Sequence, residues 1–135
     1  MISSRVQYAT RGMRQLALHH GGPPLALHEI AAREQIPEKY LETIFSTLRR
    51  RHLVESVKGK RGGYRLSDSP EKVTLLSIVQ VYEPGLLTGG MNSSSPDFAI
   101  WSDVESVLRT KLAGITVADL ADAYRRKQEA FNYAI

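Results

Sequence analysis

The sequence contains no cysteine. That excludes disulfides, thiolate nucleophiles and any zinc or iron–sulfur site built on Cys ligands. Long apolar runs are missing as well. No stretch approaches the roughly 18 residues of a membrane span, and the opening Met-Ile-Ser-Ser-Arg-Val-Gln-Tyr has no apolar targeting core. A cytoplasmic protein with no membrane contact is expected. No Ser/His/Asp arrangement stands out, and Gly59-Lys-Arg-Gly-Gly63 lacks the spacing of a phosphate-binding P-loop. An enzyme is not expected. His19 and His20 are adjacent, so on a helix their side chains point about 100° apart and cannot easily share one ion. With His28 they read as cations near the negative end of a helix. No metal ligands and no cofactor are expected.

What is present is an uneven distribution of charge. The chain has 135 residues, enough for one domain plus an extension, and a net charge of +4. Residues 1–66 hold 12 Lys and Arg against 5 Asp and Glu; residues 67–135 hold 6 against 9. A basic first half and an acidic second half suggest that one half meets a polyanion and the other something else.

The densest basic segment is Glu55-Ser-Val-Lys-Gly-Lys-Arg-Gly-Gly-Tyr-Arg-Leu66. Two β-type runs, Val54 to Val57 and Tyr64 to Leu66, flank a tip in which Lys58, Lys60 and Arg61 alternate with glycines. Glycine permits a tight turn and close approach to another surface. Three cations on such a tip repel one another unless a polyanion is near. The segment follows a helical pattern ending in Arg49-Arg50-Arg51, and a helix followed by a basic hairpin is the layout of a winged helix-turn-helix.

The rest of the chain fits that layout. Ser3 to about His20 reads as a helix with Val6, Ala9, Met13, Leu16 and Ala17 inward, stopped by Gly21-Gly22-Pro23-Pro24. A short helix from about His28 to Glu34, a turn at Gln35-Ile36-Pro37 and a helix from Pro37 to Arg51 form the helix-turn-helix. Thr74 to Tyr82 is a further helix, apolar on more than one face. Glu83 to Asp97 is a loop rich in Gly, Ser and Pro, read as mobile. Pro96 to Leu112 is a long apolar helix. Thr116-Val-Ala-Asp119 resembles a capping box opening a last short helix to about Tyr124, followed by a tail of little periodicity that carries Phe131, Tyr133 and Ile135. Phe131, Tyr133 and Ile135 are expected to dock on the body or on a partner.

If Leu41, Ile44, Phe45 and Leu48 face inward, the opposite face of the third helix presents Lys39, Glu42, Thr43, Ser46 and Arg50. Arg and Lys favour guanine, a carboxylate accepts from the cytosine amino group and Thr contacts the thymine methyl. Glu42 is therefore a candidate specificity residue, with Tyr40 a half-buried staple whose hydroxyl reaches a phosphate. Together with Arg49 and the wing residues Lys58, Lys60 and Arg61, these form the expected DNA-binding set.

The order Tyr8-Ala9, Ile30-Ala31, Tyr40-Leu41-Glu42, Leu48-Arg49, Leu53-Val54-Glu55-Ser56-Val57-Lys58-Gly59 and Gly62-Gly63-Tyr64-Arg65-Leu66 resembles the Rrf-two family of bacterial transcription regulators. The resemblance covers nearly the whole chain. It implies that the helix over 37–51 enters the major groove with the residue at Glu42 reading bases, that Lys58 reaches the minor groove, and that the long apolar helix pairs two subunits. Cluster-binding members carry three cysteines in the loop matching Glu83–Asp97; this chain carries none. The tail resembles the cysteine-free, CymR-like branch, whose members take their signal through cysteine synthase.

These readings give a mainly α fold with a small β-hairpin: a winged helix-turn-helix domain over 1–83, a mobile loop over 84–97, and a dimerisation helix with a C-terminal segment over 98–135. The expected dimer seam is Trp101, Val104, Leu108 and Leu112. The expected function is a homodimeric repressor without an iron–sulfur cluster, binding a partly palindromic double-stranded DNA operator. The alternative is a winged-helix interaction module that docks a partner enzyme through its acidic half. A weaker third reading is a sensor holding a small ligand under the 83–97 loop.

Overall fold

The computed structural model describes residues 3–134. Six α-helices and one antiparallel hairpin follow in the order α1 (Ser4–Leu18), α2 (Leu27–Glu34), α3 (Glu38–Arg50), β1 (Val54–Val57), β2 (Gly63–Leu66), α4 (Leu75–Tyr82), α5 (Phe98–Ala113) and α6 (Val117–Ala134), with a single 3-10 turn at Pro70–Lys72. The mainly α architecture with a small wing is the one expected.

Helix α1 is the central element, packed against α2, α3, α4 and α6. Ser3 caps it, its Oγ accepting from the Val6 N–H. Helix α3 is held by one face: Leu41, Ile44, Phe45 and Leu48 are all buried. Each such side chain contributes about 1.5–3 kcal/mol on burial, far above the tenths of a kcal/mol that separate residues in helix propensity. Packing therefore fixes this helix. The turn before it places Gln35 in the left-handed region (φ 54°), which ends α2 and redirects the chain.

The hairpin pairs Val54 with Leu66 through Val57 with Gly63. Leu25 adds a single bridge to Tyr64, with reciprocal N–H···O bonds of 3.0 and 2.7 Å. This contact leaves no room for a side chain at Gly63, where a Cβ would fall on the Leu25 carbonyl. Elsewhere Thr74 caps α4 and bridges to Thr116, so the start of α4 lies beside the start of α6.

The C-terminal part departs from expectation in two ways. The last helix does not end near Tyr124; α6 runs to Ala134. No Gly or Pro interrupts 117–134, and Ala, Arg, Lys, Gln and Glu there are good helix formers. The capping box is present: Thr116 N–H donates to Asp119 Oδ2 at 2.9 Å and Asp119 N–H to Thr116 Oγ1 at 3.2 Å. Nor does the aromatic end fold back onto the body: Phe131 is 62% and Tyr133 93% exposed. Ile135 lies outside the described residues. The first turns of α6 do join the main core, through Val117 and Ala121.

The 83–97 loop is a series of turns tied to α5. Glu105 accepts from the Thr88 hydroxyl at 2.6 Å and the Leu87 N–H at 3.2 Å. These two hydrogen bonds, the hydroxyl's first, outweigh its burial and hold its carboxyl below the usual range, with Arg109 adding to the effect.

Candidate nucleic-acid interface

The outward face of α3 brings Lys39, Tyr40, Glu42, Thr43, Ser46 and Arg50 around one open concavity. All six are exposed. The Tyr40 ring stands edge-on to Tyr8, centroids 5.5 Å apart, so it is anchored at one edge while remaining 43% exposed. Arg50 donates to the Thr47 hydroxyl at 3.1 Å. Among the described residues no ion pair involves Lys39, Glu42 or Arg50. The charges on this face are thus unneutralised within the chain and available to an external partner.

Arg49 does not join that concavity. It points along the helix end toward the hairpin and donates to Ser56 Oγ at 3.4 Å. Lys58 stands exposed at the wing tip, where Gly59 (φ 116°) and a Gly62 N–H to Gly59 carbonyl bond of 3.0 Å close the turn. A Cβ on Gly62 would fall on the Val57 carbonyl, so the tip depends on this glycine. Lys60 and Arg61 are exposed as well. They line a cleft between the wing and the α1–α2 connector, together with His20 and His28. All three wing cations lie in the β1–β2 turn, and two of them also border this cleft.

The helix-turn-helix is fastened from behind by Glu34, a buried carboxylate at the end of α2. It accepts from Arg14 at 2.7 Å, Arg11 at 3.2 Å and Gln15 at 2.5 Å, all on α1, while Arg11 also donates to its backbone carbonyl. Burial alone would raise this carboxyl's pKa. The combined bonds from Gln15, Arg14 and Arg11, with the Arg14 charge, outweigh it and hold the pKa below the usual value. From the other side, Tyr82 on α4 donates its hydroxyl to the Ile44 carbonyl at 2.9 Å. Its burial, slightly offset by Arg5, pushes the phenol up to about 12, so it stays a donor. Neither anchor was singled out from sequence; both depend on contacts between distant segments.

On α5 the expected seam divides. Trp101 (45%) and Val104 (47%) are exposed, alongside Ile100 (64%) and Val107 (72%). Leu108 is partly covered. Leu112 is buried against Val6 and Val79 and belongs to a second intrachain cluster, so it is a core residue and not part of an open seam. The outward stripe is therefore Ile100, Trp101, Val104 and Val107.

The 83–97 loop carries neither thiol nor imidazole. Among the described residues no three His, Asp or Glu side chains are grouped to hold a metal ion, and no helix is long and apolar enough to cross a membrane. The donor set does not fit an iron–sulfur cluster.

Comparison with known proteins agrees with the geometry. A profile of the Rrf2 (Rrf-two) family, described as iron-dependent transcriptional regulators, matches residues 2–123. The HTH-type transcriptional regulator CymR of Bacillus subtilis is 32% identical over 136 residues, covering 99% of both chains. Its solved structure, described as that of the global cysteine regulator, superposes with a TM-score of 0.81 at 30% identity, covering 91% of this chain and 97% of that one. The structure of T. potens IscR gives a TM-score of 0.81 at 33% identity, covering 95% and 90%. These relatives are winged-helix regulators of transcription, not enzymes. The chain belongs to the Rrf2 family of DNA-binding transcriptional regulators.

Proposed function

We propose that the protein is a homodimeric, sequence-specific repressor that carries no iron–sulfur cluster. The observation behind the DNA-contact assignment is the α3 face, where Lys39, Tyr40, Glu42, Thr43, Ser46 and Arg50 converge without internal ion pairs. In this reading α3 lies in a major groove. Glu42 and Arg50 choose bases, and Lys58 reaches the adjacent minor groove. Arg49, Lys60 and Arg61 meet the backbone. The exposed stripe on α5 supports the dimer: Ile100, Trp101, Val104 and Val107 form an apolar helix face that the chain leaves at least 45% exposed. Two copies joined there would offer paired recognition helices to a partly palindromic operator. Repression follows if the occupied site overlaps a promoter.

The cysteine-free sequence supports a signal that does not pass through a thiolate-bound cluster. We assign it instead to a partner that docks on the acidic C-terminal half. The exposed Phe131 and Tyr133 favour this. Similarity to the B. subtilis global cysteine regulator points to cysteine metabolism, with cysteine synthase as the partner to test. The purified chain is then colourless, and its affinity for DNA is the same under air and under reductant.

The deciding experiment is a salt titration of duplex binding, using fragments selected from genomic DNA. A repressor loses affinity steeply as salt rises, because each neutralised phosphate releases counterions. Absence of duplex binding at every salt concentration would leave the interaction-module reading in its place.

A further inference from the structure

The cleft between the wing tip and the α1–α2 connector is unaccounted for by the α3 face. It has a volume of about 580 Å³ and is bordered by His20, Pro23, His28, Lys60 and Arg61. His20, His28, Lys60 and Arg61 are exposed. We propose that this cleft receives a phosphodiester of the DNA backbone, and that His20 and His28 take up protons as it does so. The proposal rests on the DNA-binding reading above and adds a proton-linked contact to it.

The charges around the two imidazoles decide the matter. On α1, His19 is not available. Its Nε2 accepts from Arg33 at 2.7 Å and its Nδ1 lies 3.0 Å from the Gln15 carbonyl. Both ring nitrogens of His19 are thus already engaged within the chain. On α2, Glu29 lies 3.8 Å from Arg33, which offsets its charge. On the hairpin side, Arg65 borders the adjoining hollow beside His20 and is paired with Glu55 at 3.0 Å. That leaves Lys60 and Arg61, which enter no ion pair among the described residues. The cleft therefore holds two cations without an ion pair, the carboxylate of Glu29, which it shares with Arg33, and two unengaged imidazoles at its edge.

A phosphate suits it chemically. It brings a full negative charge and acceptor oxygens for Lys and Arg donors. Its negative charge next to an imidazole favours the protonated form of the ring. Proton uptake on binding makes affinity fall as pH rises. Because phosphates are the same at every base step, this contact strengthens binding without choosing sequence.

The test uses the intact chain and a fluorescent duplex of mixed sequence, about three helical turns long. Affinity is measured by anisotropy at constant ionic strength from about pH 6 to about pH 8. We expect the wild-type affinity to fall about tenfold across this range. The double variant His20→Gln, His28→Gln should bind with nearly the same affinity at both ends, matching wild type at the upper end. His52→Gln, in the α3–β1 turn, should keep the full slope. Lys58→Ala should weaken binding by one factor at every pH. A pH-independent wild type, a double variant that keeps the slope, or a His52 variant that loses it overturns the proposal and leaves the α3 reading intact. Inorganic phosphate separates the two sources of the anion: competition beyond that of chloride at matched ionic strength would assign the cleft to a free anion instead. A chain that binds no duplex at any pH removes both readings.

Discussion

The ring of Phe45 occupies the space where a side chain on Gly12 would begin, its Cε1 2.5 Å from the position of a Cβ there. At this point α1 and α3 are in direct contact, with no side chain between the Gly12 backbone and the buried Phe45 ring. Gly12→Ala forces the aromatic ring to move in a core that has no slack. The expected cost is about 1–3 kcal/mol, read as a lower denaturation midpoint in urea at unchanged m-value. A stability equal to or above wild type, from the better helix propensity of Ala, would show that the ring yields freely.

Glu34 makes the fold sensitive to acid. Its folded pKa lies below the unfolded value near 4.5, so in that window the unfolded chain binds more protons. The stability it contributes is complete above the unfolded value and is lost as pH falls through the folded one. Glu34→Gln keeps the shape but loses the charge-assisted bonds from Arg11 and Arg14. It should cost about 1.5–3 kcal/mol at neutral pH and flatten the acid limb of the stability curve. Thermal melts across the acid range provide the check.

The two arms of the interface should fail differently. Glu42→Ala should relax preference at one base position, a change of about 1–3 kcal/mol there, with other positions unchanged. Replacing Lys58, Lys60 and Arg61 by Ala should weaken binding to all sequences and flatten the salt dependence. Selection from randomised duplexes reads the first and a salt series the second. An unchanged preference in the Glu42 variant means that this face does not read bases.

Val104→Asp and Leu112→Asp should separate assembly from folding. The first places a carboxylate in the exposed α5 stripe and should yield a folded monomer. The second buries a carboxylate beside Val6 and Val79, at a cost of several kcal/mol, and should unfold part of the chain. Sedimentation at micromolar concentration, with circular dichroism, distinguishes the two. A wild-type chain that sediments as a monomer removes the dimer.

Much of this was legible in the sequence, and what was not shares a cause. The helix-turn-helix follows from the 3.6-residue spacing of Leu41, Ile44, Phe45 and Leu48, and the wing from its glycines; both signals are local. The Thr116–Asp119 capping box is local too. Leu112 was misplaced because periodicity shows that a residue is apolar but not which surface covers it. Here Val6, more than a hundred positions away, does so. The second half of α6 was missed because the residues after Tyr124 show little apolar periodicity, while their plain helix-forming composition carried the structure. His20 and His28 meaningfully approach Lys60 and Arg61 only once Leu25 has bridged to Tyr64, a pairing no short window contains.

The bridge between Thr74 and Thr116 means that the chain leaves the body and returns at one doorway. Between Tyr82, whose hydroxyl donates to the Ile44 carbonyl of α3, and that return lie the 83–97 loop and α5, the latter anchored to the body through Leu112. The loop can change in length while α5 stays anchored, since closing a longer loop costs little more than closing a shorter one. The exposed α5 stripe and the loop thus share one stretch of chain. Insertion or deletion in the loop should leave α3 and its exposed face where they are.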